Sequence, residues 1–138
     1  MAALLLCTAC VPSQITSLQQ SASFQLSWPT YLPSGLSVVR TARDGRNGTA
    51  PLSVSALLRS SQGSNLYIAE SPWPMAAAAG ADVPGLQDGH LGVQGADTYI
   101  LTFRSGSLYI LMSSTGVARP ILLRVAQSLR PLQSGGIP

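Results

Sequence analysis

The chain contains no lysine, one histidine and five acidic residues, and charged side chains make up only 9% of its 138 positions. So little charge excludes the class of chains kept disordered by self-repulsion. The eight basic residues are all arginines, spread from Arg40 to Arg130. No concentrated basic stripe with aromatic interleaving appears, so nucleic acid is not expected as a partner. One histidine and two cysteines cannot supply the four Cys or His ligands of a structural zinc, and no cofactor is expected. No apolar run reaches the roughly 20 residues that a membrane-spanning helix needs. Also missing are the Gly-x-Ser-x-Gly elbow, a phosphate-cradling loop and a zinc helix motif. Gly89, Gly92 and Gly95 recur every third residue, which is not the dinucleotide fingerprint.

What is present is apolar side chain, at 46% of positions, enough to bury a core. The length suits one domain, since single cores occupy roughly 100–150 residues. The segment Met1 to Ala9 is apolar and ends in the small residues Thr8 and Ala9, which suits a leader because signal peptidases need small side chains beside the cut. Leu6-Cys7-Thr8-Ala9-Cys10 resembles the lipobox of bacterial lipoproteins, in which the last cysteine is diacylated and becomes the mature N-terminus. The resemblance implies a lipid on Cys10, whose chains contribute about 0.8 kcal/mol of membrane affinity per buried methylene. No Arg or Lys precedes Cys10, so residues 1–9 are read as a signal peptide truncated at its N-terminus. The rival reading of Cys7-x-x-Cys10 is thiol or metal chemistry, which requires neighbouring cations or further ligands. Residues 10–23, rich in serine, threonine and glutamine, are expected to form a flexible lipid-anchored tether.

Strand-like patterns begin at Phe24. Phe24 to Trp28 alternates, and Leu36 to Arg40 offers a second short strand. Leu52–Arg59 and Leu66–Glu70 bracket a polar loop and predict a hairpin. A second hairpin is expected over Thr98 to Met112, with Gly106 free to take positive φ in the turn. Between them, Pro72 to Gly89 reads as a connection of Pro, Ala and Gly, with room for one helical turn at Ala76–Ala79. Val117, Ile121, Val125 and Leu129 recur every four residues, which predicts a closing helix with Pro120 near its start and Pro131 beyond its end. The expected fold is α+β over residues 24–132: a single antiparallel β-sheet of about five to six strands with the C-terminal helix packed on one face. Residues 133–138 are expected to be a disordered tail.

The run Trp28-Pro29-Thr30-Tyr31-Leu32-Pro33-Ser34-Gly35-Leu36 is similar to the opening of the DUF4367-type domain of bacterial envelope proteins and anti-sigma factors. Tyr99 to Phe103, Leu108 to Leu111 and Val125 to Leu129 resemble its closing hairpin and helix. The resemblance spans about Phe24 to Leu132 and implies fold without catalytic residues. It points to a non-enzymatic envelope module, anchored on the extracytoplasmic side of a membrane, that binds an envelope protein, a peptide or a lipid.

Two further features carry chemistry. Asp88-Gly89-His90 sets a carboxylate two residues from an imidazole, which could serve a hydrolase with a hydroxyl brought near by folding; the plainer reading is a polar turn. Trp73, between Pro72 and Pro74, and Tyr99 are the candidate ligand or partner contacts, with packing as the alternative role. A sensory or regulatory role of anti-sigma type is a third reading. Asn47-Gly48-Thr49 matches a glycosylation sequon and is read as a turn.

Overall fold

A computed structural model describes residues 11–44 and 53–132. The two predicted hairpins are its centre. Strands β3 (Ser53–Arg59) and β4 (Asn65–Ser71) pair antiparallel. Their loop is tied by the Ser60 hydroxyl, which accepts the N–H groups of Gln62 and Ser64 at 3.2 and 3.1 Å. Strands β7 (Thr98–Ser105) and β8 (Leu108–Thr115) form the second hairpin. Gly106 opens its turn at φ 61°, a conformation that costs side-chain-bearing residues and suits the twist of tight hairpins.

These strands join β2 (Ser37–Asp44), β5 (Ala81–Asp82) and β6 (Gln87–Val93) in one antiparallel sheet of seven, ordered β2-β3-β4-β8-β7-β6-β5. The sheet is larger than the five or six strands expected. The extra strands, β5 and β6, lie where the sequence reads as connection and turn. Gly89 and Gly92 interrupt the apolar alternation of β6, and a bulge between Gln87 and His90 breaks its register. The glycines serve close packing instead. A side chain on Gly80 would overlap the Leu91 carbonyl, and one on Gly92 would lie 2.8 Å from the Ala79 carbonyl oxygen. No helix forms at Ala76–Ala79, because this stretch is laid against β6.

Alternation sorts the sheet into two faces. Val54, Ala56, Leu58, Leu66, Ile68, Leu101, Phe103, Ile110 and Met112 point into the core. Helix α2 (Arg119–Gln127) follows β8 and adds Leu122, Val125 and Ala126 to that cluster; of the four-residue series Val125 is buried within it, Ile121 is half-buried and Val117 precedes it. It stops short of Leu129, however. The Ser128 hydroxyl donates to the Val125 carbonyl at 2.8 Å, and Leu129 enters strand β9 (Leu129–Pro131). Strand β9 pairs with β1 (Ser27–Pro29) in a separate two-stranded ribbon.

The tether reading of residues 10–23 is corrected over its described part. Ser13–Ser21 is helix α1, with Ile15 and Leu18 buried in the core. Two apolar residues three apart share one helical face, and that small stripe is enough once Gln19 locks the exit. Its side chain donates to the Phe24 carbonyl at 3.0 Å and accepts the Leu26 N–H at 2.7 Å. The folded unit therefore begins before Phe24. Residues 1–9, Cys10, Asn47-Gly48-Thr49 and the 133–138 tail lie outside the described residues.

Candidate functional site

The face of the sheet away from the helices carries the most chemistry. Cross-strand register places Asp82 beside His90 and His90 beside Thr102, while Gln87 faces Arg104 and Arg104 faces Tyr109. These positions alternate with the core residues, so they share the outer face. Residues 75–78 cross over them, and the Ala78 N–H donates to the Thr102 hydroxyl at 2.9 Å. The result is an open recess of about 170 Å³ lined by Met75, Asp88, His90, Thr102, Arg104 and Tyr109, among others.

Asp88 and His90 thus reach a common site, together with two hydroxyls. They do so where a turn runs into strand β6: the Gly89 N–H donates to the Leu86 carbonyl at 3.3 Å and Asp88 takes φ 53° at the bulge, the left-handed region that a non-glycine residue enters at a cost. The imidazole is not oriented by Asp88. Its Nδ1 lies 3.3 Å from Asp82 Oδ1, with the Asp82 side chain 90% exposed. The Thr102 hydroxyl is buried and accepts a backbone N–H.

Arg104 was silent in the sequence and is the most unusual member. Its Nε is buried and, among the described residues, has no hydrogen-bond partner. The guanidinium carbon lies 4.8 Å from the centre of the Tyr109 ring, a stacking that fixes the plane of the group. Leaving a charged donor buried and unpaired costs free energy. The alternation of Tyr99 to Phe103 marks Arg104 as a surface position, and nothing in spacing alone distinguishes it from Arg59 or Arg130.

Trp73 and Tyr99 are not brought together. Ser71, two residues before Trp73, pairs with Tyr109 and Tyr99 pairs with Ser114, so the end of β4 that leads to Trp73 lies five residues along β8 from Tyr99, or roughly 17 Å. Trp73 is 59% exposed in the segment that leads into the recess wall. Tyr99 packs against the core on the other face.

Two other places hold space or charge. A groove of about 430 Å³ runs between α1 and the β1/β9 ribbon, walled by Val11, Trp28, Pro29 and Pro131 with Arg130 and Gln20 at hand. Glu70 is 4% exposed among core side chains, and burial pushes its carboxyl up to about 8, against the opposing effect of the Ser27 N–H. An acid inside β4, alternating with Leu66 and Ile68, belongs on the core face by period alone. Among the described residues, no cluster of His, Cys, Asp and Glu is arranged to hold a metal, and no helix is long and apolar enough to cross a membrane.

No family model matches the chain, and none of the curated proteins matches it.

Proposed function

We propose that the chain is a lipoprotein of the bacterial cell envelope, held to the membrane through Cys10, whose α+β domain is a non-enzymatic binding module. The observation that carries the binding role is the recess on the helix-free face, with Arg104, which has no ion pair among the described residues, in its wall. Support for a role without catalysis comes from the same wall. Among the described residues the Thr102 hydroxyl is hydrogen-bonded to the Ala78 N–H and not to His90, the contact that a nucleophile and its base require.

The position of α1 adds to the anchoring. Only Val11 and Pro12 separate Cys10 from a helix docked on the core, so a lipid there holds the domain against the bilayer instead of at the end of a long leash. The envelope partner is then one that reaches a module close to the membrane surface. Metabolic labelling with an alkynyl palmitate tests the anchor: wild type takes up label and Cys10→Ala does not. Equal labelling of the two rejects Cys10 as the site.

A hydrolase remains the second reading, favoured by one observation. Asp82, His90 and Thr102 are successive neighbours across three strands, the chemical order of an acid, a base and a hydroxyl nucleophile.

A further inference from the structure

We infer that the recess between β6, β7, β8 and residues 75–78 is a binding site for a monocarboxylate with a short apolar tail, its carboxylate received by Arg104. The inference deepens the binding-module reading and rests on it for its biological setting, but its test does not depend on the anchor.

The recess dictates the ligand class piece by piece. Arg104 Nε is buried without an acceptor, and the Tyr109 ring beneath the guanidinium holds its plane. A planar cation with a free N–H edge is matched by a carboxylate, which can accept two parallel hydrogen bonds. In the recess a carboxylate supplies the counter-charge that the guanidinium lacks among the described residues. Arg104 has no ion pair among the described residues, where the only short acid–base contact is between His90 and Asp82.

Charge limits the ligand to one negative group. Asp88 lines the same recess, and its carboxylate opposes a second anionic charge at this range. The apolar side chains of the wall are those of Met75 and Ala77, while Phe103 and Ile110, whose side chains point into the core, border it with backbone. At about 170 Å³, below the several hundred Å³ typical of sites for drug-sized ligands, the recess accepts a short tail or one side chain. A free short-chain acid and the C-terminus of a peptide both present this chemistry, and the committed ligand is the free acid.

The test is an NMR titration of the full chain carrying Cys10→Ala, which removes the lipid question from the measurement. Hexanoate is the probe, hexanol its uncharged control and N-acetyl-leucine the mimic of a peptide terminus. The Nε–H resonance of Arg104 should move and saturate with hexanoate, and hexanol should leave it in place. Arg104→Gln should weaken hexanoate binding at least tenfold while the backbone spectrum stays dispersed. Tyr109→Leu, which keeps the charge and removes the stack, should weaken it less. Movement with N-acetyl-leucine and a stronger response than to hexanoate supports the site and assigns its source to a peptide terminus. Equal binding of hexanoate and hexanol, or undiminished hexanoate binding by Arg104→Gln, overturns the inference. Either result leaves the labelling of Cys10 untouched, so the two readings fail separately.

Discussion

The Ser27 backbone N–H donates to Glu70 Oε1 at 2.7 Å and so ties the β1/β9 ribbon to the middle of the large sheet. The bond lowers the carboxyl pKa, but desolvation outweighs it and the group ends near 8, far above its ordinary 4.5. Folded chains therefore keep a proton that unfolded chains release between those two values. The contribution of Glu70 to stability should be fully present below about pH 4.5, fall as pH rises through the interval, and be lost above about 8. Glu70→Gln should flatten this slope and exceed wild type at pH 8. Urea midpoints at pH 5, 6, 7 and 8 check both statements; parallel curves for the two proteins would contradict them.

Helix α1 should behave as part of the core. Ile15 is 1% exposed, and replacing such a side chain with alanine costs about 2–5 kcal/mol where the site cannot collapse. Ile15→Ala and Leu18→Ala should both lower the urea midpoint, whereas Gln14→Ala, at an exposed position of the same helix, should leave it nearly unchanged. A flexible tether would show no difference among the three.

The seating of residues 75–80 on β6 depends on Gly80. Gly80→Ala places a methyl into the Leu91 carbonyl, which is backbone and cannot step aside. The expected result is loss of hydrogen-exchange protection at the Ala78 amide, which now donates to Thr102, and loss of recess binding. Gly63→Ala meets no atom but sits at φ 89°, so it should cost about 1 kcal/mol at the loop and leave Ala78 protected. If Ala78 exchanges at the same rate in Gly80→Ala as in wild type, the close approach does not hold the loop.

Trp73 and Trp28 should separate cleanly by fluorescence. Trp28 is 4% exposed and Trp73 is 59% exposed. Trp73→Phe should shift the emission to shorter wavelength and sharply reduce acrylamide quenching. An unchanged quenching constant would place Trp73 inside.

Both central hairpins and the closing helix were legible because their signals are local. Leu101 and Phe103, with Ile110 and Met112 opposite, alternate cleanly, and Gly106 stands where the turn needs it. Strand β6 was not legible. Its Asp88-Gly89-His90 is good turn chemistry, with Asp88 left-handed at a bulge, and only the pairing from His90 onward makes the segment a strand. Helix α1 was hidden for a similar reason. Its mean polarity resembles a linker, and it is attached by two buried residues and the hydrogen bonds of the Gln19 side chain. Within the site, Asp88 and His90 could be named from type and spacing. The partner of His90 could not, since Asp82 reaches it only through strand pairing. Arg104 gained its interest from burial and from a missing acceptor, neither of which a sequence displays.

Binding without turnover at the recess is the centre of this account, and p-nitrophenyl hexanoate tests it most directly. The ester presents the hexanoyl chain beside His90 and Thr102 with a leaving group that reports cleavage. The account predicts release of p-nitrophenol at the buffer rate, with His90→Gln and Thr102→Val indistinguishable from wild type. A burst stoichiometric with protein, lost in both variants, would contradict it and establish the Asp82, His90, Thr102 row as catalytic.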